Sequence, residues 1–210
     1  MISKKSIIYK THKKIKEAIS ARKKEFLWKL KGRPVPAPHV IKQKIIKNYA
    51  NRFNINTMIE TGTFMGEMID AVLNIFPKII SIELDPALAQ RAKNKFSSNT
   101  HVKILQGDSG VLLRSVIAEI AEPCLFWLDA HYSGGVTSKS DLETPVAKEL
   151  GMLLDHPCAD HVILIDDARE FTRQNNYPSL DEVRRLIVSK RPDWVMQVED
   201  DIIRIHKVVL

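Results

Sequence analysis

Three aspartates directly follow two of the most apolar segments in the sequence. Asp129 follows Cys124–Leu128, and the pair Asp166 and Asp167 follows His161–Ile165. A nearly continuous apolar segment of this length is typical of a parallel strand that is covered on both faces. If the two strands are neighbours, their carboxylates converge at one edge of the sheet, where like charges resist ionisation unless a proton or a cation intervenes. Mg²⁺ is the simplest such cation, because it prefers carboxylate oxygens.

A second set of polar residues follows three earlier apolar segments. The first segment ends in the run Glu60-Thr61-Gly62-Thr63-Phe64-Met65-Gly66, whose glycines permit a tight turn and the close approach of a ligand to the backbone. Glu83 ends the second segment, at a point where an acid can accept hydrogen bonds from both hydroxyls of a ribose. Asp108 and Ser109 end the third, where a carboxylate can bind the amino edge of an adenine. Ser109 is also the predicted cap of the next helix.

From residue 39 onward, strand-like and helical segments alternate five times and are followed by two adjoining strands. This order predicts an α/β domain with a doubly wound, mostly parallel, seven-stranded sheet of the Rossmann-like kind, whose last strand is antiparallel. Ligands bind such sheets beyond the carboxyl ends of the strands. Both sets of candidate residues lie at those ends, so they are predicted to share one site.

The first 33 residues form a strongly basic arm on an otherwise mildly acidic chain. They contain twelve lysines and arginines against Glu17 and Glu25, whereas the whole 210-residue chain has a net charge of +7. The segment Gly32–Pro38, which contains three prolines, breaks the helical pattern of the arm. We therefore predict a basic helical arm with a proline-rich linker over residues 1–38 and a folded domain over residues 39–210.

Several partners of this arm stay open at the level of sequence. Its lysines suit RNA or an anionic membrane surface, although a solvated helix is the commoner meaning of such a charge run. Tyr9, Phe26 and Trp28 are too few aromatic residues to indicate base stacking, which argues against nucleic acid as a partner. Apolar residues such as Ile19 and Leu30 need cover, so the domain itself or a second copy in a homo-oligomer is a further alternative.

Composition excludes several classes of protein. With 44% hydrophobic residues, 8 glycines and 10 prolines, the chain is neither collagen-like nor disordered. Its two cysteines, Cys124 and Cys158, cannot form a disulfide framework, which favours a reducing compartment. The sequence has no run of about 20 apolar residues and no secretory signal, so it predicts a cytoplasmic protein.

Taken together, the three strand ends of the second set resemble those of the class I S-adenosylmethionine (SAM)-dependent methyltransferases. In that family a Glu/Asp-x-Gly-x-Gly-x-Gly turn, an acid after the second strand and an aspartate after the third hold the cofactor. Phe64 stands where the family usually has its middle glycine. An NAD-binding turn needs the spacing Gly-x-Gly-x-x-Gly, which this sequence does not supply. The resemblance implies SAM binding by Glu60, Gly62, Thr63, Gly66, Glu83, Asp108 and Ser109.

The three aspartates resemble those of the metal-dependent O-methyltransferases that modify small molecules and sugars. That branch places one aspartate after the fourth strand and an acidic pair after the fifth around Mg²⁺, which implies Asp129, Asp166 and Asp167 as metal ligands. Its sugar-modifying members have a general base two positions beyond the first ligand. Here that residue is His131, so the resemblance implies His131 and Asp129 as catalytic residues. Imidazole, with an ordinary pKa near 6.5, suits proton removal at neutral pH.

The function that the resemblance implies is SAM-dependent O-methylation, assisted by Mg²⁺, of a hydroxyl on a small polyhydroxylated molecule or glycan. The alternative from another class is a nucleotide- or SAM-binding module whose basic arm binds RNA or an anionic membrane. Simpler roles also explain the residues one by one. Asp166 and Asp167 suit a helix cap and its solvated neighbour, and His131 suits a loop histidine bonded to a backbone carbonyl.

Overall fold

A computed structural model describes residue 16 and residues 19–129, 144–158 and 160–208. Residues 19–30 are helical and are called α1 here. The other helices are α2 (His39–Arg52), α3 (Glu67–Val72), α4 (Pro86–Lys95), α5 (Ser109–Ala118), α6 (Val146–Asp155) and α7 (Leu180–Lys190), with one 3-10 turn at Ala168–Glu170. The strands are β1 (Thr57–Thr61), β2 (Lys78–Glu83), β3 (Val102–Gln106), β4 (Cys124–Leu128), β5 (Val162–Ile165), β6 (Trp194–Glu199) and β7 (Ile202–Lys207). Among the described residues, no helix combines the length and apolar character that a membrane span requires.

The seven strands form one sheet in the order β3-β2-β1-β4-β5-β7-β6. All neighbours from β3 to β5 pair in parallel, whereas β7 pairs antiparallel with both β5 and β6. The predicted doubly wound α/β sheet with an antiparallel last strand is confirmed. The order reverses between β1 and β4, so the carboxyl ends of these two strands flank the crevice where this class of sheet binds ligands.

The hydrophobic core lies on both faces of the sheet. Helices α2, α3 and α4 cover one face, and α5, α6 and α7 cover the other. Successive side chains of a strand point to opposite faces, so Phe126 packs in one core cluster and its neighbour Trp127 in the other. Because β1, β4 and β5 are buried along their whole length, polar side chains are confined to the strand ends.

The helices that follow β2 and β3 begin at aspartate caps. Asp85 accepts hydrogen bonds from the backbone N–H groups of Ala87 and Leu88, and Pro86 opens α4 at the position where proline suits a helix best. The cap of α5 is Asp108, which accepts from the backbone N–H of Gly110 at 2.7 Å. The predicted cap at Ser109 is therefore wrong by one position, because Asp108 has the extended backbone of a cap and Ser109 is already helical.

The end of α1 packs against the folded domain. Trp28 is buried in the core cluster that contains α2, and its Nε1 donates to the carbonyl of Pro34 at 2.8 Å. Arg33 pairs with Glu199 at 2.9 Å and with Asp200 at 2.5 Å, at the turn between β6 and β7. The division of the chain into an arm over residues 1–38 and a domain over residues 39–210 stays a prediction. These contacts connect the end of the arm with the domain.

A buried pair of histidines lies at the amino edge of the sheet, opposite the candidate residues. The backbone N–H of Cys124 donates to His161 Nδ1 at 3.1 Å, and His161 Nε2 lies 2.9 Å from His156 Nδ1. His156 Nε2 lies 2.9 Å from the carbonyl of Ile117. These partners fit two neutral rings that both carry their proton on Nε2. Burial lowers the pKa of His161 to about 4.

We expect acid to destabilise the fold through His161. Its pKa of about 4 in the folded protein lies below the ordinary value of 6.5 that applies to the unfolded chain. The neutral ring therefore contributes fully above pH 6.5, and its contribution, up to about 3 kcal/mol, is lost as the pH falls toward 4. Urea unfolding across this pH range should show a steeper loss of stability in the native protein than in His161→Gln. His101→Gln, at a partly buried ring elsewhere, is the control for a histidine-to-glutamine change as such. Equal slopes in all three proteins would contradict the assignment.

Candidate active site

The turn after β1 requires its glycines. Gly62 and Gly66 adopt φ angles of +89° and +68°, in the left-handed region that disfavours side chains. A Cβ atom at Gly66 would also lie 2.7 Å from Phe96 Cε2. The Lys95 ammonium donates to the carbonyl of Met65 at 2.8 Å and holds the turn from outside. The predicted close turn at the carboxyl end of β1 is therefore present.

Phe64 occupies the position of the usual middle glycine and adopts a φ of +46°. A bulky residue in this region costs on the order of 1 kcal/mol, so the surrounding structure must hold it there. Its backbone N–H donates to Glu83 Oε2 at 2.7 Å, which is one such restraint. The Phe64 side chain is about half exposed at the surface of the turn. The turn thus has a left-handed residue at this position without a glycine.

Glu83 lies at the carboxyl end of β2 and links the turn after β1 to the turn after β2. Its Oε2 accepts from Phe64, and its Oε1 accepts from the backbone N–H of Asp85 at 3.0 Å. Each carboxylate oxygen can accept a second hydrogen bond. The side chain therefore has a structural role and retains the capacity to bind a pair of hydroxyl groups.

Glu60 is buried at the end of β1 in a short network of hydroxyl groups. Ser81 Oγ donates to Glu60 Oε2 at 2.5 Å, and Thr63 Oγ1 lies 2.6 Å from Ser81 Oγ. Burial raises the pKa of Glu60 to about 8. At neutral pH the protonated side chain also has a donor to offer, which no sequence pattern indicated.

The residues after β3 that are predicted to bind adenine lie beside a buried acid from α6. Asp108 caps α5, and Ser109 is buried at the first position of that helix. Glu149 is 1% exposed, with Ser109 and Thr61 as its polar neighbours, and burial raises its pKa to about 7. Glu149 therefore lies near the ends of both β1 and β3, and neither of its carboxyl oxygens has a hydrogen-bond partner among the described residues.

The three aspartates meet as predicted. Asp129 and Asp166 are held by backbone hydrogen bonds at the strand ends, from Asp129 to Thr61 and from Asp166 to Leu128, each 3.0 Å long. One carboxylate oxygen from each of Asp129, Asp166 and Asp167 lies within 4.8 Å of the others. Asp166 and Asp167 are buried, and Asp166 Oδ1 has no hydrogen-bond partner within the described part of the chain. Burial and the nearby Asp129 carboxylate raise the pKa of Asp166.

Within the described ranges, two cationic side chains contact this cluster. The Lys42 ammonium, from α2, donates to Asp166 Oδ2 and lies 3.7 Å from Asp167 Oδ1. Arg169 donates to Asp167 Oδ1 at 2.8 Å and also pairs with Asp201. The chain itself thus supplies positive charge to the acidic cluster, which lowers the cost of burying the carboxylates.

Comparison with known proteins gives matches of fold. No protein-family model matches the sequence, and a search of curated proteins found no match. Similar solved structures include an O-methyltransferase from Bacillus cereus in complex with SAH, with 14% identity, a TM-score of 0.59 and coverage of 89% of this chain and 90% of that chain. The SAH-bound methyltransferase PaMTH1 from Podospora anserina has 15% identity, a TM-score of 0.58 and coverage of 94% and 96%. The 23S rRNA methyltransferase ErmE has 18% identity, a TM-score of 0.52 and coverage of 79% and 68%.

The strand order and these matches decide the fold. The chain has the class I SAM-dependent methyltransferase fold. Within this methyltransferase fold, the glycine turn follows β1, Glu83 ends β2 and Asp108 follows β3. The acidic cluster follows β4 and β5. The fold alone leaves the acceptor open, because the similar structures include proteins described as O-methyltransferases and as an rRNA methyltransferase.

The site residues that the sequence predicts differ in part from those that the structure describes. His131 lies outside the described residues, so its predicted role as a base stays a prediction. Lys42 and Glu149 were not predicted, yet a signal for both exists in the sequence. Each is a charged residue on the buried stripe of its helix, Lys42 four residues before Ile46 and Glu149 three residues after Val146.

Proposed function

We propose that the protein is a SAM-dependent O-methyltransferase, assisted by Mg²⁺, that methylates a hydroxyl of a small polyhydroxylated molecule or glycan. The observation that carries this proposal is the meeting of three carboxylates at the ends of β4 and β5, at the same sheet edge as the glycine turn and Glu83. A nucleotide-binding site alone has no need of such a cluster. A site that holds Mg²⁺ next to an acceptor hydroxyl does use one.

The cofactor half fits SAM through backbone and carboxylate groups. The glycine turn allows the backbone to approach a ligand. Each Glu83 carboxylate oxygen accepts one backbone hydrogen bond among the described residues, and its second acceptor position suits a ribose hydroxyl. Asp108 and Ser109 lie at the next strand end, where the adenine is expected. Glu60 and Thr63 would support the turn from beneath, through their hydrogen bonds to Ser81.

The acidic half fits a hard divalent cation. Its donors are three carboxylates within reach of one another, and the buried Asp166 Oδ1 is an acceptor that the described residues leave unsatisfied. Mg²⁺ bound there would supply positive charge that lowers the pKa of an acceptor hydroxyl. Asp129, Asp166 and Asp167 would hold and orient the ion, while His131 would receive the proton at a ring nitrogen.

The test that needs no acceptor is thermal unfolding with SAM and with Mg²⁺, alone and together. SAM should raise the melting temperature, because a ligand that binds only the folded state stabilises it. Mg²⁺ should raise it as well and independently. If SAM has no effect while the protein is folded, the methyltransferase proposal fails. If SAM raises the melting temperature and Mg²⁺ does not, the proposed methyltransferase activity stands and the proposed role of Mg²⁺ is withdrawn.

Glu83→Gln is expected to weaken SAM binding at least about tenfold, because the charge-assisted bonds to the ribose become neutral ones. The glutamine also has one acceptor oxygen for two backbone donors, so the free energy of unfolding should fall by about 1–2 kcal/mol. Calorimetric titration measures the affinity, and urea unfolding the stability. Glu119→Gln, on the exposed end of α5, is the matched control and should change neither. A folded Glu83→Gln protein with native SAM affinity would overturn the ribose assignment.

A further inference from the structure

One face of α1 leaves three large apolar side chains in water. Ile19, Phe26 and Leu30 are 62%, 65% and 72% exposed, whereas Trp28 in the same helix is 5% exposed. Spacings of seven and four residues place the three apolar side chains in one row along the helix. Trp28, two residues after Phe26, points to the opposite side, where it packs on the domain. The row therefore faces away from the protein.

Basic side chains accompany this row. Arg22 and Lys23 are exposed and lie on the same face as Ile19 and Phe26, at spacings of three and four residues. We call Ile19, Arg22, Lys23, Phe26 and Leu30 the arm stripe. The acid nearest in sequence, Glu25, lies off this stripe and pairs with Lys29 and Lys44, each at 2.7 Å. The arm stripe is thus apolar and cationic, with no acid of its own.

The helix that carries the arm stripe is anchored on its other side. The Trp28 indole is buried and bonded to Pro34, and Arg33 pairs with both Glu199 and Asp200. These contacts fix which face of α1 points outward. The exposed side chains do not pack in the domain core, so an external partner is the best explanation for their apolar character.

We propose that the arm stripe docks on an anionic membrane surface. Apolar side chains flanked by lysine and arginine on one face of a helix are the features by which a helix lies in the plane of a bilayer interface. Ile19, Phe26 and Leu30 insert at the level of the headgroups, and Arg22 and Lys23 contact the lipid phosphates. The six further lysines before residue 19 add positive charge in the sequence.

Charge and shape favour the membrane over the other occupants. Binding to nucleic acid would not bury exposed aliphatic side chains favourably. Phe26 is the only exposed aromatic residue among the described residues of α1, so base stacking has little to use. A second copy that paired stripe to stripe would bring Arg22 and Lys23 against the same residues of its partner, which costs energy. Anionic lipid satisfies both the apolar and the cationic members of the stripe.

The experiment is cosedimentation of the full chain with vesicles of phosphatidylcholine alone or mixed with phosphatidylglycerol. We expect binding to the mixed vesicles, weaker binding to the neutral ones and release by high salt. The variants Phe26→Ser/Leu30→Ser and Arg22→Glu/Lys23→Glu should each lower the partition coefficient at least about tenfold. All four positions are exposed, so the fold should survive.

The matched controls are Val188→Ser on α7 and Lys93→Glu on α4, which are exposed residues of the same types outside the arm. Both should bind vesicles as the native protein does. Equal binding by the stripe variants, or no binding to anionic vesicles, overturns the proposal. Loss of a dimer in Phe26→Ser/Leu30→Ser, measured by sedimentation without lipid, overturns it in favour of a second copy. Retention of RNA that depends on Arg22 and Lys23, without vesicle binding, overturns it in favour of nucleic acid.

Discussion

Asp166→Asn is expected to lower methyl transfer by at least about 100-fold and to leave SAM affinity within a few-fold of native. The amide removes one negative charge from the acidic cluster and offers the Lys42 ammonium a neutral oxygen in place of its main carboxylate partner. The proposed Mg²⁺ site would lose an anionic ligand, and losses of this order accompany even the removal of groups that only support metal ligands. The cofactor residues lie on β1, β2 and β3, so SAM binding should persist.

Two measurements make this prediction independent of the unknown acceptor. Mn²⁺ binding, followed by electron paramagnetic resonance, should fall in Asp166→Asn, and calorimetry should show SAM binding that is close to native. Asp155→Asn, at an exposed position at the end of α6, is the control and should bind both ligands normally. Native Mn²⁺ affinity in a folded Asp166→Asn protein would show that the cluster is not a metal site.

Lys42→Met is expected to destabilise the protein and to strengthen its binding of divalent cations. The buried carboxylates lose the ammonium that contacts Asp166 and Asp167, and removal of one partner from a buried ion pair typically costs about 3–5 kcal/mol. The same loss removes a positive charge next to the proposed ion, so Mn²⁺ affinity should rise at least about tenfold. Urea unfolding with and without Mg²⁺ measures the first effect, and Mn²⁺ resonance the second.

The decisive outcome is whether Mg²⁺ restores the stability that Lys42→Met removes. Restoration would show that the lysine and the ion serve the same carboxylates. A destabilised protein that Mg²⁺ does not rescue would identify Lys42 as the permanent counter-ion of the cluster, and the metal would then have to be abandoned. Lys44→Met is the matched control, because its partner Glu25 lies outside the site and the lysine is half exposed. It should change stability by less than about 1 kcal/mol.

The order of the elements and the strand ends were predictable because they depend on local pattern. A parallel strand covered on both faces must be apolar throughout, so Cys124–Leu128 was recognisable, and the first polar residue after it marks the site. The meeting of Asp129 with Asp166 then follows from the pairing of β4 with β5. These inferences need only the period of the side chains and the rule that ligands bind at the carboxyl ends of the strands.

Contacts between distant elements were beyond such reasoning. Lys42 reaches the cluster from α2, 124 positions away from Asp166 in the chain, and no periodicity states where that helix crosses the sheet. Glu149 is similar, because its protonation depends on burial against β1 and α5. The cap of α5 was missed for a smaller reason: Asp108 and Ser109 are both good capping residues, and the backbone decides between them.

The division of the site among strand ends has a consequence for how such chains diversify. Residues that suit a common methyl donor follow β1, β2 and β3, whereas those that would face an acceptor follow β4 and β5. Substitutions in separate, non-contacting groups act almost additively. A descendant of this protein can therefore accumulate changes after β4 and β5, and so acquire a new acceptor, without having to rebuild its hold on the donor. The exception is Asp129, whose carboxylate charge adds to the burial that raises the pKa of Glu60 on β1, so a change there is felt by both groups.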